Sequence, residues 1–183
     1  KPLWEVLHEL QTQKKEMASS SNNIITYSAD LKMIDVGANL TDRRFSRPFS
    51  KDRDSGDLGA VLDRAFANHV DKIIITGSSL RESGQAVRIA ESNEKLYATV
   101  GCHPIKSNEC KNGEYLDGLL RLVLANPKKV VAIGECGLDW DRLQFCSRDA
   151  QLAGFENQLG LPKLTKKPLF LHCRNAYKDF VEI

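Results

Sequence analysis

The stretch "KIIITG", Lys72 to Gly77, is a run of β-branched residues with no polar alternation, closed by a glycine. A strand of that kind shows no face to water and belongs in a parallel sheet covered on both sides. Similar short apolar runs recur in "MIDVGAN", "LYATVGCHP", "KVVAIGECGLD" and "PLFLHC". Between them the period of apolar residues changes from strand-like to helical. "DLGAVLDRAFANH" carries Leu58, Val61, Leu62, Ala65 and Phe66 on one helical face. "SLRESGQAVRIAESN" opens with Ser79 and has Glu82 three residues on, the spacing of a capping box. "GEYLDGLLRLVLAN" and "SRDAQLAGFENQLG" read as further helices, the latter broken around Gly160 and Pro162. "NAYKDFVEI" starts a fifth, with Asn175 as its expected cap.

Five strands, each followed by a helix, predict a parallel α/β architecture. A doubly wound open sheet and a TIM-type (β/α)8 barrel both satisfy this rhythm. The strand tips favour the barrel. Asn39, Gly77, His103, Glu135 and His172 stand at the C-terminal ends of successive strands, and in a barrel all such ends face one central site. An open sheet usually sets its site beside a Gly-rich phosphate loop, and the chain contains neither GxGxxG nor GxxxxGK[ST]. The expected fold is therefore a TIM-type barrel of which about the first five strands are present, spanning residues 31–183. Residues 1–30, with "LWEVLHELQTQKKE" and the small polar run "MASSSNN", read as an appendage, disordered or a short helix.

Composition narrows the function classes. A net charge of +2 is too small for a whole-surface field that gathers polyanions, so any such site must be local. No apolar run approaches the roughly 18 residues of a membrane helix. The five cysteines form neither a CxxC pair nor a zinc-finger pattern and suit a reducing compartment.

Three cysteines sharpen the reading of the strand tips. Cys102 precedes His103, Cys136 follows Glu135, and Cys173 follows His172. Neighbouring residues of a strand point to opposite faces. With the histidines and the glutamate facing the barrel axis, all three thiols face the helix layer, where they act as small apolar groups. The reverse would bury an unpaired carboxylate under helices, at a cost of several kcal/mol, which disfavours a cysteine-ligated zinc centre. An inward carboxylate and imidazole suit divalent-metal chemistry. The residues alone leave a plainer alternative, in which His172 is structural and Glu135 caps a turn or pairs with Arg174.

"VVAIGECGLDWDR", "TVGCHP", "PLFLHCRN" and "IITGSSLRES" together resemble the TatD family of metal-dependent hydrolases, from about Met33 to the last residue. The resemblance implies a (β/α)8 barrel and a divalent-metal-dependent deoxyribonuclease, expected to be a 3′–5′ exonuclease. Its implied partner is DNA, as single strands or 3′ ends, with RNA in second place, and no membrane. It implies Mg²⁺, with Zn²⁺ or Mn²⁺ as alternatives, and two ions in the complete protein. By motif, Glu135 corresponds to the metal-bridging glutamate and His172 to a ligand on the fifth strand. His103, Asn39 and Arg174 correspond to substrate contacts. Many relatives carry His-x-His on the first strand, where this chain has Gly37 and Asn39, which implies a differently held first metal. Asp35 on that strand is a weaker candidate for orienting the site.

Further ligands in the family, a histidine on the sixth strand and an aspartate on the eighth, would fall beyond Ile183. The expectation is a C-terminally truncated barrel with impaired activity. Two other functions remain open at this level: a non-catalytic isoform that binds nucleic acid or protein through exposed strands, and a related metal-dependent amidohydrolase. Trp140 reads as loop packing ahead of base stacking. Asp139 and Asp141 read as a solvated turn as readily as holders of metal waters. The loop "TDRRFSRPFSKDRD" mixes arginines and phenylalanines with acids and reads first as a solvated loop. Nuclear or cytoplasmic residence is the family-level expectation.

Overall fold

The computed structural model describes residues 31–45 and 58–183. The expected appendage 1–30 and most of the basic loop after the first strand lie outside the described residues. Five strands form one parallel sheet: β1 (Met33–Ala38), β2 (Val70–Ile75), β3 (Leu96–Val100), β4 (Val130–Asp139) and β5 (Leu169–Arg174). The helices are α1 (Leu58–Ala67), α2 (Leu80–Glu91), α3 (Gly113–Ala125), α4 (Arg148–Gln158), α5 (Leu161–Thr165) and α6 (Tyr177–Glu182).

The strands lie side by side in the order of the chain. A doubly wound sheet reverses that order at a switch point, and this sheet does not. Crossovers between parallel neighbours are right-handed as a rule, and with the strands in chain order that rule sets the connecting helices on one face. The result is half a barrel wall with its helices outside, as the rhythm of the sequence predicts. Ile73, Ile75, Leu96, Val100, Leu119, Val123 and Ile133 make the main core. A second cluster of Cys136, Leu138, Phe155 and Ala176 lies under α4 and α6. Among the described residues no helix is long and apolar enough to cross a membrane.

Local chemistry explains the element ends. Ser79 Oγ accepts the Glu82 N–H at 3.2 Å and caps α2. Pro162 falls in the first turn of α5, where its missing N–H costs nothing, so the break around Gly160 is an early end of α4. Asn175 does not cap α6. It sits at φ 50° and donates to Asp141 Oδ1 at 2.6 Å, because its side chain is drawn to the loop after β4.

Two glycines bring β4 against β5 by direct backbone contact. Gly134 and Gly137 have φ near 140° and 145°, and a Cβ on them would fall 2.1 Å from Phe170 O and 1.9 Å from His172 O. The register shifts by one residue between Gly134 and Cys136, which leaves Glu135 in a bulge. Cys102 and Cys136 are buried behind the sheet as expected, whereas Cys173 is exposed. Among the described residues β5 pairs with β4 alone, and the short α6 leaves that position uncovered.

Candidate metal centre

The ends of β3, β4 and β5 converge on a cavity of about 370 Å³. Asn39, His103, Glu135, His172 and Arg174 all line it, so the fold brings together every residue that the sequence singled out for the site. Two weaker candidates lie outside that lining: the Asp35 carboxylate accepts the Gly37 N–H at 3.0 Å within β1, and Asp141 accepts from Asn175.

His172 is the centre of the arrangement. Its Nδ1 lies 2.7 Å from Glu135 Oε1 and its Nε2 3.0 Å from Asp139 Oδ2. The bond to Glu135 raises its pKa above the ordinary imidazole value against the pull of burial, and Asp139 adds to the rise. Burial pushes the Glu135 carboxyl up, but the hydrogen bond with His172 and the positive charge around it, Arg174 included, outweigh it, and the net shift is downward. Each ring nitrogen of His172 thus faces a carboxylate oxygen, an arrangement that favours the protonated form of the ring. Asp139 is 1% exposed, with Arg174 Nη1 3.7 Å from its Oδ2.

His103 plays a different part. The Ile105 N–H donates to its Nδ1 at 3.2 Å, so the proton of the neutral ring belongs on Nε2. That nitrogen stands 3.9 Å from Glu135 Oε1. Burial, the largest influence, pushes the His103 pKa down to about 4, which keeps the ring neutral. Ligand atoms of His103, Asp139 and His172 lie within 4.8 Å of one another. The tautomer makes His103 a donor toward whatever occupies the cavity, while Asp139 and Glu135 offer carboxylate oxygens and His172 would offer a nitrogen only in its neutral form. Two carboxylates and one imidazole, with the nearby thiols turned behind the sheet, are a donor set that fits a hard or borderline divalent ion.

These observations can be set beside known proteins. A family model described as TatD related DNase matches residues 34–183. The chain belongs to the TatD family. It is 39% identical to the 3′-5′ ssDNA/RNA exonuclease TatD of Enterobacter lignolyticus over 151 residues, 82% of this chain and 53% of the relative. It is 39% identical to the Deoxyribonuclease Tat-D of Schizosaccharomyces pombe over 162 residues, 84% of this chain and 52% of that one. Among solved structures, a TatD family hydrolase from Entamoeba histolytica superposes with a TM-score of 0.74 at 40% identity, covering 82% of this chain and 52% of that one. An uncharacterized amidohydrolase from Saccharomyces cerevisiae does so with a TM-score of 0.74 at 34% identity, covering 83% and 51%. The chain spans about half the length of the curated relatives it matches.

Several residues around this TatD site escaped the sequence reading. For Asp139 the sequence left a solvated turn and a holder of metal waters open; it is buried and shares the strand parity of Glu135 and Gly137, a signal that period-two counting contains. Gln151 and Gln158 are wholly buried on α4. Gln151 accepts the Asp139 N–H at 2.7 Å and donates to the carbonyls of Asp139 and Cys146 at 3.0 and 3.1 Å. Gln158 accepts the Cys102 N–H at 2.7 Å and donates to the Cys102 carbonyl at 3.1 Å. Each amide clamps the backbone at or beside one residue of the site. Their i, i+7 spacing on a buried helical stripe with Gly154 and Phe155 was the available clue. Trp140 packs as expected: its Nε1 donates to Asp179 Oδ2 at 2.9 Å, and Arg148 lies over its ring.

Proposed function

We propose that the protein is a divalent-metal-dependent phosphodiesterase acting on single-stranded DNA, with RNA as a further substrate, from the 3′ end. The observation that carries this reading is His172 suspended between Glu135 and Asp139 at the strand ends, with a neutral His103 donor facing them. Mg²⁺ is the expected ion, with two in the complete protein, and Glu135, Asp139 and His172 would hold it. A divalent ion in such a site supplies charge neutralisation at a phosphoryl oxygen and a lowered pKa for water. Glu135 and Asp139 fix the orientation of His172, His103 Nε2–H is placed to donate to the substrate, and Arg174 adds positive charge at the rim. Loading an ion requires His172 to give up its proton, so affinity should rise with pH. The names of the relatives, an ssDNA/RNA exonuclease and a deoxyribonuclease, support the substrate class.

The decisive assay is Mg²⁺-dependent release of nucleotides from a 5′-labelled single strand. Glu135→Ala is expected to lower the rate by at least about a hundredfold, the scale on which loss of a charge-stabilising group acts. Undiminished release in that variant would refute the assignment. Hydrolysis of amides in place of phosphodiesters would transfer it to the class of the similar amidohydrolase from Saccharomyces cerevisiae. The described residues contribute the groups of β1–β5, and the rate of these 183 residues is expected to fall below that of a chain as long as the relatives.

A further inference from the structure

Glu82, in the first turn of α2, holds two cations with one carboxylate. Its Oε2 lies 2.7 Å from Lys106 Nζ and accepts the Ser78 hydroxyl, and its Oε1 lies 3.1 Å from Arg81 Nη2. Lys106 also donates to Ser78 Oγ at 3.2 Å. The two cations face different spaces. Lys106 lines the cavity of the metal centre. Arg81 lines a second cavity of about 630 Å³, with Gln85 and Arg43 in its wall. Asn39 and Ser78 line both, so the two spaces adjoin.

This arrangement has the form of a phosphate register. An ammonium has three N–H donors. Glu82 and Ser78 take two, which leaves one for the cavity Lys106 lines. Arg81 has a fork of donors, of which Glu82 and Gln85 engage a part. Because one carboxylate joins them, the cations sit no farther apart than two short ion-pair contacts and the width of that carboxylate. Adjacent phosphates of an extended single strand repeat on the same scale. Holding both side chains in advance lowers the ordering cost of binding. Among the described residues the second cavity is lined by amides, hydroxyls and charged groups, with no aromatic side chain in its wall, a lining that suits a sugar–phosphate backbone better than stacked bases.

We propose that Lys106, Glu82 and Arg81 form a two-phosphate clamp, in which Lys106 holds the phosphodiester at the metal centre and Arg81 holds the next phosphate of the same single strand in the second cavity. The clamp rests on the nuclease reading above and reads a feature that DNA and RNA share.

The test is fluorescence anisotropy with the full-length protein, using labelled thymidine dinucleotide and hexanucleotide in Ca²⁺ over a range of KCl. Arg81→Ala is expected to weaken the hexanucleotide about fivefold and make its salt dependence shallower by about 0.7, the value for one phosphate contact on a single strand, while leaving the dinucleotide unchanged. Lys106→Ala is expected to weaken both. Glu82→Gln is the sharpest variant. Removing an acid beside a polyanion site should tighten binding by simple electrostatics, whereas loss of the clamp weakens the hexanucleotide. Thermal melting checks that each variant is folded, and Arg81, 68% exposed in its side chain, can be replaced without disturbing the core. Tighter binding in folded Glu82→Gln, or equal effects of Arg81→Ala on both lengths, would overturn the clamp and leave the nuclease reading standing. Absence of oligonucleotide binding by the unaltered protein would remove both.

Discussion

Replacing Gln151 by Met keeps the length and bulk of the side chain and deletes three hydrogen bonds from a site with no access to water. The Asp139 N–H loses its acceptor, and an orphaned buried donor costs about 1–3 kcal/mol. The carbonyls of Asp139 and Cys146 each lose a donor, which adds roughly 1–2 kcal/mol. Burying a thioether in place of an amide returns some apolar contact, so the net loss is about 2–4 kcal/mol. In a chain of this size that lowers the melting temperature by roughly 5–15 °C. Gln151→Glu should be worse near neutral pH, because a carboxylate would face two carbonyl oxygens. It should recover partly in acid, when one oxygen regains a proton to donate. Thermal denaturation followed by circular dichroism at two pH values measures both variants. A Gln151→Met protein that melts with the unaltered one, or a Gln151→Glu protein that outlasts it at neutral pH, would refute the claim that this amide anchors the end of β4.

The histidines predict a dome of stability against pH in the metal-free protein. His103 is neutral when folded down to about pH 4, while an unfolded histidine charges below about 6.5. Its contribution is therefore present above pH 6.5 and is lost as pH falls toward 4, on the order of 3 kcal/mol at full extent. His172 has the opposite sign: its folded pKa is raised, so its contribution is present below pH 6.5 and is lost as pH rises through the folded value. Melting curves in EDTA should show His103→Asn flattening the acid limb and His172→Asn the alkaline one, and parallel profiles for all three proteins would refute this. Thiol labelling in native buffer should modify Cys173 rapidly. Cys102, Cys110, Cys136 and Cys146 should stay protected, since they are buried and burial pushes the Cys136 thiol up to about 12. Fast reaction persisting in Cys173→Ser would contradict that packing.

The parts of this protein legible in its sequence are those fixed by local periodicity. The β-branched run at Lys72–Gly77 needs cover on both faces whatever lies elsewhere in the chain, and strand parity turns Glu135 one way and Cys136 the other. What a residue does across the sheet depends on register, which no local count contains. "DWD" reads as a turn until β4 pairs with β5 and sets Asp139 against the far nitrogen of His172. Asn175 reads as a helix cap until the loop after β4 presents Asp141 to it. The reason for the glycines of "GECG" is spatial: β4 approaches the carbonyls of β5 too closely for a Cβ at either position. That contact brings Glu135 and His172 within hydrogen-bond distance. The site therefore depends as much on two absent side chains as on the carboxylate and imidazole between them. An alanine at either glycine would push β5 away and part Glu135 from His172, even with both groups chemically intact.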